Sequence, residues 1–483
     1  MKRLSIILFI LVISVIVSEC KKPETSSEVS EIDEFIWEGL SDYYLWEDVA
    51  PYISNVTYQN DNKRNELINS FNGDHEALFY NLLYQYGTID KWSWIVDDYV
   101  ALEQYFQGIS KTMGFEFGLI YKDQYKNDIY GFIKYVMPGS PADDLGLKRG
   151  DLFLEINDQQ LTVNNYRDLL YLSSYKLSLA EYVNDNLQTN GESVLISEEV
   201  YEENPIYLTK VFEDNGVKIG YLVYNSFTST FDNQLNNVFQ DFISEGVSEL
   251  VLDLRYNGGG SVQSAVYLAS MIYGTDTNNV FSRSQYNVAL QDYFTQEYGE
   301  DFFVNYFASG ISQTNGGSLP INSLGLSRVY IICTQNTASA SELVINGLKP
   351  YMDVYLIGTN THGKYVGSFT VKDYISQNTV NPNHTWAMQP ITFRIENSQG
   401  VSDFVNGFTP DYELTENYDN LIALGDETEP LLNVAIHKIT GKSINVKRIP
   451  KFENIKITDS KDLKPLGKDM HMDITIDKKL QLH

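Results

Sequence analysis

The chain has 483 residues, 43% of them hydrophobic and 13% aromatic, which is enough for more than one core because a domain commonly takes ~100–200 residues. Its 64 acidic and 35 basic side chains leave a formal net charge of −29, which opposes binding to nucleic acid and to anionic membrane surfaces. Two cysteines are too few for a disulfide framework, and no His-Glu-x-x-His, Cys-x-x-Cys or Lys-Ser/Thr-ended phosphate loop occurs, so no metal or other cofactor is expected.

Met1-Lys2-Arg3 followed by the apolar stretch Leu4 to Val17 has the length of a signal peptide rather than of a membrane span, and it ends at Cys20. A bacterial lipoprotein signal is cut before such a cysteine, which then takes the lipid. Cys20 is therefore the expected lipidation site, although Glu19 is unusual immediately before the cut. The expected location is the bacterial cell envelope, periplasmic or anchored to the outer membrane, with the lipid as sole membrane contact. Residues 21–31, rich in Ser, Glu and Lys, read as a tether. Helical spacing in Phe35, Leu40, Tyr43, Tyr44 and again in Leu78, Leu82, Leu83 predicts a small helical domain over residues 32–100.

Residues 101–208 carry Met113-Gly114-Phe115-Glu116-Phe117-Gly118, then Gly131 to Val136, Pro138-Gly139-Ser140-Pro141-Ala142, Leu145 to Asp151 and Leu154-Glu155-Ile156-Asn157. This order of motifs resembles a PDZ domain. The resemblance implies a sheet edge to which an extended peptide adds as a strand, with its carboxylate at the amides of Gly114, Phe115, Glu116 and Phe117. The alternative is a spacer that binds nothing. The polar stretch from Leu172 to Glu203 reads as later PDZ elements with an enlarged loop.

Over residues 209–446 strand-like and helix-like runs alternate: Ile219 to Val223, Leu235 to Ile243, Leu250 to Leu254, Ala265 to Ile272. That order predicts a mainly parallel α/β core. After the third run comes Asp253-Leu254-Arg255-Tyr256-Asn257-Gly258-Gly259-Gly260, where consecutive glycines permit close backbone approach or merely make a tight turn. Between Thr275 and Ser327 lies an insertion rich in Tyr, Phe, Asn and Gly, read as a lid or surface loop. The apolar run Val329 to Cys333 then precedes Asn336-Thr337-Ala338-Ser339-Ala340-Ser341-Glu342, which puts Ser339 at a strand-to-helix junction. Ser339-x-x-Glu342 fits a capping box, and taken alone the spacing favours capping. Lys364, in Thr361-His362-Gly363-Lys364, supplies the second possibility: a buried lysine can take the proton of a serine hydroxyl. Cys333 sits in an apolar run and reads as core.

Asp253 to Gly260, Thr337 to Glu342 and Gly363-Lys364 together resemble the C-terminal processing, or tail-specific, serine peptidases of the serine-lysine type. Gly407-Phe408-Thr409-Pro410-Asp411 resembles their closing element, and the spacing of 25 positions from Ser339 to Lys364 matches theirs. The resemblance implies a crotonase-like or Clp-like α/β spiral core, Ser339 as nucleophile, Lys364 as general base, and an oxyanion hole from the amide of Ala340 and one from Gly258 or Gly259. Where many members have a lysine-orienting glutamine this chain has Ser368, so Ser368 or a backbone carbonyl would hold the amine. Residues 447–483 are a charged tail without a chemical signal. The expected function is an exported serine endopeptidase acting on unstructured or C-terminal peptide segments through an acyl-enzyme. A peptide-binding envelope lipoprotein with weakened catalysis is the alternative, and a scaffold for glycan uptake is a weaker third. Protein or peptide is the expected partner; the oligomeric state is not legible.

Overall fold

The computed structural model describes residues 29–122, 125–184, 186–442, 456–463 and 467–474. The expected signal peptide with Cys20, and residues 21–28 of the tether, lie outside the described residues. Among the described residues no helix is long and apolar enough to cross a membrane.

Three helices open the fold, α1 (Glu31–Tyr43), α2 (Asp61–Asn69) and α3 (His75–Leu82). Each starts where a short polar side chain takes a free N–H of the first turn: Ser30 from Asp33, Asn60 from Lys63, Asp74 from Ala77. Their apolar faces, with Phe35, Ile36, Leu40, Leu78 and Phe79, join the largest core of the molecule rather than forming one of their own. Trp94–Val96 completes the attachment by pairing antiparallel with Ala387–Gln389.

The PDZ-like unit is an antiparallel sheet of β1 (Phe115–Tyr121), β2 (Ile129–Val136), β3 (Leu152–Ile156), β4 (Ser174–Val183) and β5 (Asn186–Ser197), with α4 (Tyr166–Leu170) against it. Phe115, Phe117, Leu119, Ile133, Phe153 and Ile156 fill its core. The expected enlarged loop is instead the long β4–β5 hairpin. Tyr175 and Leu177, two positions apart, point inward and Ile196 pairs opposite Tyr175, while polar residues on the wet face hide the strand in the sequence.

β6 (Ile206–Asp214) begins before the expected boundary at 208 and pairs antiparallel with β7 (Val217–Tyr224). From there every neighbour is parallel: β8 (Glu249–Asp253), β9 (Arg328–Cys333), β10 (Asp353–Gly358) and β11 (Tyr412–Glu413), in sheet order β6 to β11. A sheet covered on both faces needs near-continuous apolar strands, and Leu250-Val251-Leu252 supplies one. Val251 and Ile332 face α8 (Pro430–Thr440); Leu252 and Ile331 face α5 (Asp232–Glu245), α6 (Val262–Ile272) and α7 (Ala340–Leu348). This is the mixed α/β multidomain architecture expected.

Two expectations are corrected. The Tyr- and Phe-rich insertion is not a lid: Val280–Tyr286 pairs with Phe393–Asn397, which pairs with Val366–Gly367, and Phe281, Tyr286, Phe294 and Phe307 are buried in the main core. Its aromatics are packing. The tail is not inert either, because β12 (Lys456–Asp459) adds antiparallel to β1 and β13 (Met470–His471) runs parallel to Gly260–Ser261.

Candidate active site

The run from β9 to α7 is folded onto the glycine turn by its threonines and backbone. Thr337 Oγ1 donates to the Leu254 carbonyl at 2.8 Å, the Ala338 N–H to the Asn257 carbonyl at 3.1 Å, and Ser341 Oγ to that same carbonyl at 3.2 Å. Ser341 is thus a helix residue spent on packing. Ser339 stands at the junction with φ 66°, a left-handed conformation that costs a residue with a side chain about 1–3 kcal/mol. Its Oγ is fully buried yet has no hydrogen-bond partner. The Ser339–Glu342 capping box is present at this helix start, with the Glu342 carboxylate on the Ser339 N–H, so the capping geometry coexists with a hydroxyl outside hydrogen-bond range of a partner.

Lys364 lies in the loop between β10 and Val366–Gly367, and its side chain is as buried as the serine, at 1% exposure. Burial lowers its pKa from the ordinary lysine value, against the carboxylates of Asp469, Asp90 and Glu342, which push it back up. An amine in this setting gives up its proton more readily than one in water.

Glu342 ties the two loops together, a role beyond the cap that its spacing from Ser339 suggests. Its Oε2 accepts from the Ser339 N–H at 2.9 Å and the Lys364 N–H at 2.8 Å, and its Oε1 from the Thr361 hydroxyl at 2.6 Å and the Gly363 N–H at 2.7 Å. One carboxylate oxygen therefore joins the backbone of Ser339 to that of Lys364. Burial pushes the Glu342 carboxyl up to about 7, opposed by these four hydrogen bonds. His362, next to this loop, is brought down to about 4 by burial and by the Lys468 and Lys364 charges, so it is neutral at pH 7.

The glycine turn is the third wall. At Gly259, with φ 112°, an added Cβ would stand 2.7 Å from Ser339 Cβ and 3.1 Å from the Ala340 nitrogen, so only glycine allows the approach. The Ala340 N–H opens the helix and has no acceptor within it. Gly259 is less available than expected, because its N–H donates to Asn257 Oδ1 at 2.9 Å. Gly258 lies against the tail at Gly467 and Lys468, and its carbonyl accepts from the Asp469 N–H.

Ser368 does not hold the lysine. Its backbone is taken by the tail, with its N–H donating to the Met470 carbonyl at 2.9 Å and its carbonyl accepting from Met472 at 3.0 Å. The amine of Lys364 instead donates to the Lys468 carbonyl at 2.9 Å, and no hydrogen bond joins it to Ser339 Oγ. In the PDZ-like unit, Phe115 and Phe117 lie in the apolar core, the Phe117 N–H donates to Ser460 Oγ at 3.0 Å, and Glu116 accepts from that hydroxyl. The Gly114 amide is already engaged, its N–H donating to Thr112 Oγ1 at 3.0 Å, and its carbonyl accepts from Met137 and Ser140.

Arg149 and Arg255 bind the two units below the site. Arg255 is fully buried against Asp253, Glu416 and Glu429, and Arg149 of the PDZ-like unit donates to Glu416, Tyr256 and the Ile422 carbonyl. Asp253-Leu254-Arg255 thus anchors the glycine turn through charge.

Family models match the chain in three places, in order along it: the peptidase S41 N-terminal domain at residues 31–94, a PDZ domain at 132–176 and peptidase family S41 at 218–414. A carboxyl-terminal-processing protease of Picosynechococcus sp. is 25% identical over 234 residues, 47% of this chain and 49% of that protein. A chloroplastic carboxyl-terminal-processing peptidase of Arabidopsis thaliana is 23% identical over 236 residues, 47% and 41% respectively. The chain thus spans half or less of the length of these curated relatives. A solved structure assigned as an S41 protease from Bacteroides fragilis has TM-score 0.62 and 27% identity, covering 84% of this chain and 97% of that one. The N-terminal, PDZ and peptidase segments are thus all present and in order, and the segment 218–414 is matched by peptidase family S41.

Proposed function

We propose that the protein is a serine endopeptidase in which Ser339 is the nucleophile and Lys364 the general base. The observation that carries this is a buried lysine whose backbone N–H shares one Glu342 carboxylate oxygen with the backbone N–H of Ser339, a residue at positive φ whose buried hydroxyl makes no hydrogen bond. Neutral Lys364 Nζ takes the Ser339 proton as Oγ attacks the scissile carbonyl. The tetrahedral oxyanion points to the Ala340 N–H and the glycine turn. As the C–N bond breaks, Lys364 returns the proton to the leaving amine, and water, deprotonated by the same amine, hydrolyses the acyl-enzyme. The edge of β1, which β12 occupies in the resting chain, suits capture of unstructured or C-terminal segments of proteins by strand addition once that strand is displaced. Export and lipidation at Cys20 complete the proposal, placing the enzyme on the cell envelope.

Hydrolysis of fluorescein-labelled denatured casein tests the assignment. Ser339→Ala and Lys364→Ala should each abolish it and abolish labelling by a fluorophosphonate, with circular dichroism unchanged. Labelling that survives Ser339→Ala would refute the nucleophile. One observation favours the binding-protein alternative for the resting chain: the Lys364 amine is engaged by Lys468 rather than by Ser339.

A further inference from the structure

We propose that residues 456–463 and 467–473 act as a tethered peptide ligand of this same protein, the first filling the PDZ-like groove and the second the catalytic cleft, and hold the enzyme closed. The proposal rests on the peptidase reading for its consequence, though not for the binding itself.

The segment occupies two successive peptide sites. At the first, β12 lies antiparallel on the edge of β1, with Thr458 opposite Leu119 and Asp459 opposite Gly118. Among the described residues β1 is otherwise paired only with β2, so this edge is the place where a strand can be added. Ser460 Oγ takes the Phe117 N–H, and the Leu463 side chain enters the apolar space among Phe115, Phe117, Leu170 and Tyr175. A cavity of about 160 Å³ remains there, so the groove holds more apolar bulk than Leu463 supplies. The Tyr171 hydroxyl donates to the Leu463 carbonyl.

At the second site the segment runs between the glycine turn and Ser368. The Asp469 N–H donates to the Gly258 carbonyl at 3.1 Å, the Gly260 N–H to the Asp469 carbonyl at 2.7 Å, and the Ser368 N–H to the Met470 carbonyl. These bonds use main-chain atoms on both sides, the mode by which a cleft holds peptides of varied sequence. Glycine is needed for the fit: a Cβ at Gly258 would lie 2.0 Å from the Gly467 carbonyl oxygen, and one at Gly259 2.1 Å from that of Asp469. Met470 is completely buried in the main core, and the His471 ring packs tilted against Phe106 with centroids 4.2 Å apart.

Occupancy disables the dyad in two ways. The Lys468 carbonyl takes the hydrogen bond that Lys364 would otherwise make to Ser339, and the Asp469 carboxylate favours the protonated amine. A substrate must therefore displace the segment from β1, from the glycine turn, or from both.

The test uses the full-length chain carrying Thr458→Pro and Met470→Asp, which remove a strand residue at the first site and put a carboxylate into the apolar seat at the second. Fluorophosphonate labelling of Ser339 and kcat/KM on labelled casein should both rise about tenfold or more, because a tethered competitor acts at high effective concentration. A synthetic peptide of residues 456–473, fluorescently labelled, should bind the variant at least about tenfold more tightly than the parent, whose sites are filled, and should inhibit the variant competitively. Equal labelling rates and equal peptide affinity in the two chains would overturn the proposal, as would a variant that no longer folds, since the segment would then be structural. If neither chain hydrolyses casein, the peptidase reading fails on its own and peptide affinity alone decides: tighter binding by the variant upholds the tethered ligand, and unchanged binding rejects it.

Discussion

At the scale of single residues, Glu342 is the side chain on which the site's geometry turns. Its two oxygens collect four donors, from Ser339, Thr361, Gly363 and Lys364. Glu342→Gln keeps the size but replaces one acceptor oxygen by an N–H₂ group that faces N–H donors. The expected result is a fall in kcat of about tenfold to a hundredfold, because misplacement of reacting groups by a fraction of an ångström costs that much. KM on labelled casein should move little; a normal kcat would show that the two loops hold their relation without this carboxylate. Ser339 and Lys364 stand out in the sequence through the resemblance of their motifs and the 25 positions between them, since the local pattern at Ser339 taken alone favours a cap. Glu342 was visible only as the last residue of a capping box, since nothing in a sequence shows that a cap's carboxylate also faces a loop some twenty residues on. Of the two holders expected for the amine, Ser368 or a backbone carbonyl, it is the Lys468 carbonyl that takes it, while the Ser368 backbone serves a strand that arrives from the far end of the chain.

At the scale of elements, the glycine turn and the strand-to-helix turn work only as a pair. Gly259→Ala would set a methyl group 2.7 Å from Ser339 Cβ in a backbone conformation, φ 112°, that alanine rarely adopts. Turnover of casein should drop below detection, and the melting temperature should fall by several degrees, a shift of about 1–3 kcal/mol. An unchanged rate would mean that the turn does not touch the reaction. The parallel order of β7 to β10 was legible because buried parallel strands are continuous apolar runs separated by helical patterns. The β4–β5 hairpin, the insertion and the tail strands were not. In the hairpin, polar residues alternate with apolar ones at the edge of a sheet; in the insertion, aromatic content says nothing of direction. β12 and β13 form because an edge and a cleft receive them, and two to four residues carry no period of their own.

At the scale of the whole molecule, the buried charges around Arg255 and Glu416 couple the PDZ-like unit to the core. Burial raises the Glu416 carboxyl, but the guanidinium groups of Arg149 and Arg255 override it and hold the group at about 2, against an ordinary 4.5. The folded chain therefore binds fewer protons than the unfolded chain between those values. The stabilisation is complete above 4.5 and is lost as pH falls towards 2. Thermal unfolding of the protein followed across this window should show the melting temperature dropping with pH, and Glu416→Gln should flatten that slope; an equal slope in both would place the acid sensitivity elsewhere. The central claim, that a buried neutral amine activates Ser339, is tested most directly by the pH dependence of fluorophosphonate labelling at Ser339 in the full-length chain. The rate should rise along a single titration below the ordinary lysine value of 10.5 and vanish in Lys364→Ala. Labelling that persists in Lys364→Ala with the same pH profile would contradict the account.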